Sequence, residues 1–140
     1  MAQTQTVTNT GIAEFVILCS DTTPAATALT KIVALNMATP CTAAAASTFA
    51  DPADTATHHV DSGLDIAAID TVAQGTTNTT GDTITIDHVF TATGTKNVAG
   101  IHCCNDDGDV SFVECCFNAV LAMENTDKLT IDGAIVFDQA

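Results

Sequence analysis

The last third of the chain, from Gly81 to Phe137, is patterned as a succession of β-strands, and this limits the fold more than any other feature. β-Branched and apolar segments run through Thr83–Phe90, Val98–His102, Val110–Val113 and Leu129–Phe137, parted by Gly, Asn and Asp clusters that favour turns. In the last segment Leu129, Ile131, Gly133, Ile135 and Phe137 share one face, while Lys128, Thr130 and Asp132 share the other. That is the alternation of a strand with one wet side.

Upstream the signals are mixed. Residues 1–10 are Thr- and Gln-rich without an apolar period, and read as an extended arm that orders against a neighbour. Ile12, Phe15, Val16 and Cys19 fall at i, i+3, i+4 and i+7, which predicts a short helix capped by Asn9 or Thr10, although Phe15–Leu18 also suits a buried strand. Beyond a loop around Pro24, Lys31–Met37 reads as a strand ended by Pro40. Residues 38–60 carry Pro40, Pro52 and no clean period, so they read as a long surface excursion with one helical turn near Ala43–Phe49. Long loops of this kind commonly carry a binding surface. Leu64–Val72, the polar hinge Gln74–Asp82 and the following segment parse as strand, turn, strand. The expected architecture is mainly β, a β-sandwich or jelly-roll-like domain over residues 11–140 with one short N-terminal helix, preceded by the arm 1–10.

A chain of 140 residues suffices for one self-supporting core, here assembled from Ile, Val, Leu, Ala and six Phe, with no Trp or Tyr. Seventeen acidic side chains against three lysines and no arginine give a formal charge of −14. Phosphate binding needs Lys or Arg to displace counterions, so nucleic acid and anionic membrane surfaces are unfavourable partners. The N-terminus has neither a basic nor an apolar export region, so synthesis and first folding in a cytoplasm are expected. The longest apolar stretch, Ile12–Cys19, is far short of the ~20 residues of a spanning helix.

Six cysteines stand at Cys19, Cys41, Cys103, Cys104, Cys115 and Cys116, the last four flanking Asn105–Asp109. A two-residue turn on Asp107-Gly108 sets Cys104 opposite Ser111 and Cys103 opposite Phe112, leaving Cys104 and Cys115 roughly 13 Å apart at ~3.3 Å per residue. Bridged Cα atoms lie within about 7 Å, so a Cys104–Cys115 disulfide is unfavourable. Neighbouring strand residues face opposite ways, so each pair sends one sulfur inward and one outward. Buried thiols, disulfides to Cys19, Cys41 or a neighbouring subunit, and a metal site all remain open. The metal reading is the weakest, because no Cys-x-x-Cys spacing occurs.

His58-His59, beside Asp51, Asp54 and Asp61, reads as a pair of exposed loop histidines rather than a metal site. His88 and His102 read as packed histidines, and Asn105–Asp109 as a hairpin turn rather than a calcium loop. No nucleophile elbow, phosphate loop, dinucleotide fingerprint or zinc-protease motif is present, and without arginine the usual anion clamp is missing. Neither an enzyme, a metal nor a cofactor is expected.

Ile32-Val33-Ala34-Leu35, Phe90-Thr91-Ala92-Thr93-Gly94, Gly100-Ile101, Asp106-Asp107-Gly108-Asp109 and Asp127-Lys128-Leu129-Thr130-Ile131 follow one another in an order that resembles small structural proteins of tailed bacteriophages and related viruses. The cysteines and Asn36-Met37 depart from that pattern. The resemblance implies a non-enzymatic virion component made in the host cytoplasm. Its form would be a capsid decoration or cement protein, or alternatively a tail or fibre subunit, with copies of itself and major capsid or other virion proteins as partners. The corresponding mechanism is adhesive: strand edges and the N-terminal arm pair with neighbours, and the apolar hairpin Val98–Phe117 buries its second face between subunits. Val7, Phe112, Cys115 and Phe117 are the expected contact residues. A filament subunit joined by strand donation is the main rival.

Overall fold

The computed structural model describes residues 4–20, 28–76 and 80–136. The Pro24 loop, Phe137 and positions 77–79 of the polar hinge lie outside the described residues. The chain folds as two antiparallel sheets with one helix at the N-terminus, a mainly β, sandwich-like architecture. In chain order the elements are β1 (Thr4–Val7), α1 (Asn9–Ser20), β2 (Lys31–Asn36), a 3-10 turn (Ala53–Thr55), β3 (Thr57–His58), β4 (Ala67–Ala68), β5 (Thr71–Thr76), β6 (Thr80–Thr91), β7 (Lys96–Cys104), β8 (Ser111–Met123) and β9 (Lys128–Val136). The larger sheet runs β1-β8-β7-β2-β3, with β4 beside β2, and the smaller runs β5-β6-β9.

Between the sheets lies the main core. Ile32, Val98, Ile101 and Cys103 of the larger sheet meet Ile86, Phe90 and Ile131 of the smaller, with Leu64 sealed among them. Residues 64–69 supply that plug and the short β4 rather than a continuous strand; the ladder with β6 begins at Thr71.

The second face of the larger sheet is buried too. Residues 37–60 fold over it, and Leu35, Cys41, Ala56, Ala99 and Cys116 form a separate apolar cluster there. This corrects three expectations. The excursion is a packed layer, its short helical turn lies at Ala53–Thr55 instead of Ala43–Phe49, and the second face of the Val98–Phe117 hairpin is covered by the chain itself. Covering both faces makes β7 buried at every residue from Val98 to Cys104.

Two irregularities set the cysteine geometry. The Asn105–Val110 loop is closed by the Asn105 side chain, whose Oδ1 accepts from the Asp109 and Val110 N–H groups at 3.0 Å, with Gly108 at φ +69. Asp107-Gly108 is therefore not a two-residue turn, yet Cys104 does face Ser111. A bulge then shifts the register by one, so Cys103 faces Val113 instead of Phe112, and Cys115 faces Ile101. Cys103 and Cys115 point into the inter-sheet core, whereas Cys116 points to the covered outer face and bonds to Cys41. The outward sulfurs are thus as dry as the inward ones.

Candidate functional site

Three features could carry function: a polar chain under the excursion, the surface of α1, and a cleft at one edge of the sandwich.

The polar chain starts at the helix. Thr8, fully buried, caps α1: its Oγ1 accepts from the Gly11 N–H at 3.1 Å and its carbonyl from the Ile12 N–H at 3.0 Å. The expected caps, Asn9 and Thr10, are instead the first residues of the helix. The Thr8 and Thr10 hydroxyls both donate to the Ser111 carbonyl, and the Ser111 hydroxyl is bonded to His102 Nε2. His102 Nδ1 stands 3.1 Å from His58 Nε2, and Phe49 stacks over both rings, 4.1 Å and 5.8 Å from their centroids. Burial lowers both pKa values to about 4, with the neighbouring imidazole adding to the effect on His58.

Beside the histidines, the fully buried Glu114 carboxylate accepts from the Ala44 N–H (3.0 Å), the Ser47 hydroxyl (2.8 Å) and the Ala53 N–H (2.8 Å). These bonds satisfy backbone groups that the packed excursion would otherwise bury unpaired. A serine, a histidine and a carboxylate are therefore close together, but Ser111, His102 and Glu114 are all shielded from solvent. Through Glu114 and His102 their hydrogen bonds reach the outer layer at Ala44, Ser47, Ala53 and His58. The sequence signal for Glu114 was its solitary charge within Val110–Met123.

His59 is buried rather than exposed, with Nε2 2.9 Å from the Asn97 carbonyl. His88 is packed edge-on to Phe90, its Nδ1 3.2 Å from Asp70. Among the described residues no three metal-ligating side chains converge, and no helix is long and apolar enough to cross a membrane.

α1 reaches the sheet by a narrow contact. A Cβ on buried Gly11 would stand 2.8 Å from Phe112 Cα, so glycine alone lets the helix backbone lie on β8. Of the predicted apolar stripe, Ile12 is 51% exposed, Phe15 43% and Val16 58%, and Ile17 beside it is 38% exposed. Glu14 is the helix's single charged residue. Cys19 lies on α1, but its side chain is outside what the structure describes.

The third feature is bounded by strands of both sheets. β1 and β8 lie at one end of the larger sheet and β9 at one end of the smaller, and residues of all three line one cleft. It has a volume of about 320 Å³ and is lined by Ile101, Cys103, Val113, Cys115, Phe117 and Ile135. Of the expected contact residues, Cys115 and Phe117 line this cleft, and Val7 on β1 pairs with Val113, which also lines it. Phe112 lies apart, under Gly11 of α1. Cys115 is 8% exposed, so it belongs to the cleft floor and not to an open surface. Of the expected arm 1–10, residues 1–3 lie outside the described residues, Thr4–Val7 is extended but ordered against its own β8, and Asn9 and Thr10 already belong to α1.

Comparison with known proteins found no matching family model, no similar curated protein and no similar solved structure.

Proposed function

We propose that this chain is a non-enzymatic structural subunit that acts by assembling, its specific form being a capsid decoration or cement protein of a virion. The observation that carries the reading is the outward apolar face of α1. A helix apolar nearly all round is normally buried, yet here Ile12, Phe15, Val16 and Ile17 meet solvent in a chain of charge −14. On so acidic a molecule, a charge-poor apolar strip is where another surface can approach without repulsion. The sealed polar chain supports the same reading, since its potential nucleophile and base are committed to holding the fold. The virion setting is supported by the resemblance of the strand-and-turn segments to phage structural proteins.

The decisive experiment is light scattering and electron microscopy of the full chain, alone and with purified capsids. Defined oligomers or ordered attachment to the shell support the reading. A monomer at millimolar concentration that leaves capsids bare overturns it.

A further inference from the structure

The cleft between β8 and β9 separates its apolar lining from its polar lining. Its floor is made by Ile86, Ile101, Cys103, Cys115 and Ile131, all buried side chains of the core between the sheets. Among the described residues, every polar one that lines it, Gln5, Asn118, Thr130 and Asp132, is exposed and so stands at the mouth. A pocket with an apolar floor and a polar mouth accommodates a molecule divided in the same way, one end apolar and the other hydrated. The volume sets the size of the apolar end. A dry cavity of about 150 Å³ holds a benzene ring, so a cleft of about 320 Å³ suits a body of about ten carbons.

We propose that the cleft binds a single-chain amphiphile with a primary ammonium head, its alkyl chain on the floor and its head at the mouth beside Asp132. Charge decides the head. Asp132 is the one charged residue among the described lining, and neither a lysine nor a histidine joins it there. Two of the three lysines are engaged elsewhere, Lys31 with Asp106 at 3.1 Å and Lys96 with Asp61 at 2.9 Å. A fatty-acid carboxylate would therefore meet a like charge at the mouth and the field of a chain at −14, with no cation to receive it. An ammonium meets attraction on both counts. Gln5 and Asn118 carry side-chain carbonyls and Thr130 a hydroxyl, acceptors at the mouth for the ammonium protons that Asp132 does not take. Contact with the floor supplies most of the affinity, and Asp132 supplies the preference among heads, because an exposed ion pair contributes little. The inference goes beyond the assembly reading, uses a different surface from α1 and does not depend on subunits associating.

The test is a titration of the full chain, labelled at isoleucine methyl groups for nuclear magnetic resonance, with decylammonium, 1-decanol and decanoate, each below its micelle or solubility limit. Decylammonium should saturate at one molecule per chain and shift the methyls of Ile101, Ile131 and Ile135, which line the cleft. Decanoate should bind about tenfold more weakly, with 1-decanol between them. Two substitutions at exposed positions refine the assignment. Asp132→Asn should weaken decylammonium about threefold and leave 1-decanol unchanged. Leu121→Trp enlarges a side chain that lines the cleft and is 39% exposed, so it should weaken decylammonium and 1-decanol alike by about tenfold while keeping the parent's melting temperature within a few degrees. Shifts spread over the acidic surface with the cleft methyls unmoved are adsorption to net charge only, and overturn the proposal. So does decanoate binding as tightly as decylammonium, or parent-like decylammonium affinity in either variant.

Discussion

Nε2 of His58 and Nδ1 of His102 face each other at 3.1 Å beneath the ring of Phe49, so one imidazole must donate and the other must accept through an unprotonated nitrogen, and the contact fails when both facing nitrogens carry protons. His102 passes the same polarity to the Ser111 hydroxyl, and the Ser111 carbonyl in turn receives the Thr8 and Thr10 hydroxyls at the start of α1. The outer layer and the helix are thereby joined through one buried chain of hydrogen bonds.

That chain makes stability depend on pH in a stated direction. Both histidines have folded pKa values of about 4 against an ordinary 6.5. The unfolded chain therefore binds more protons between those values, and stability that is complete above pH 6.5 is lost as pH falls toward 4, then levels. Thermal melts across this window should show a falling midpoint, and the double variant His58→Gln/His102→Gln should flatten the dependence.

The Cys41–Cys116 bond closes a loop across a sequence separation of 75, for which chain entropy suggests a contribution of about 4 kcal/mol. Replacing both cysteines by alanine should lower the denaturant midpoint accordingly and expose residues 37–60 to proteolysis first. Thiol counting under denaturing, non-reducing conditions should find Cys41 and Cys116 blocked and Cys103, Cys104 and Cys115 reactive. Before denaturation Cys103 should be unreactive, because burial, reinforced by Cys104 and Cys115, pushes its thiol to about 12.

Glu114→Gln is nearly isosteric but replaces one of the accepting oxygens with a donor, turned toward groups that themselves donate. The expected cost is about 2–4 kcal/mol, read by equilibrium unfolding, with amide exchange accelerated at Ala44 and Ala53. An unchanged midpoint would show that the carboxylate does not hold the outer layer.

Val16→Asp places a charge on the most exposed large apolar side chain among the described residues of α1. The isolated subunit should keep its melting temperature within a few degrees, while its self-association, followed by sedimentation, should fall at least tenfold. Raising ionic strength should have the opposite effect on the parent, promoting assembly, because the charge of −14 is screened over about 10 Å at 0.1 M salt.

Gly100→Ala should be among the least tolerated single changes, since a Cβ there would stand 2.2 Å from the Cys115 carbonyl oxygen and force β7 from β8. A loss of at least about 2 kcal/mol is expected on unfolding, whereas Gly94→Ala, where a Cβ meets nothing closer than 4.0 Å, should be close to neutral.

The sequence by itself determined the strands. Period-two alternation placed β6, β7 and β9 and the start of β8, and i, i+3, i+4 spacing placed α1, because these patterns record which side of a local element is apolar. It also carried the acidity, and so the partners that acidity disfavours. Only the tertiary structure decided which apolar side is covered, and by what. The stripe on α1 gave no sign that Gly11 would lie against the sheet while Ile12, Phe15 and Val16 stayed exposed, and nothing in residues 38–60 announced that Glu114 would satisfy their backbone from a strand some 60 to 70 residues away. One bulge at Phe112 redirected Cys103 and Cys115 relative to a regular ladder, and the packing of the two sheets left a cleft lined by residues of β8 and β9. Periodicity is a property of neighbours in sequence, whereas covering a face requires a partner brought from elsewhere in the chain, and that pairing is fixed only when the whole chain packs.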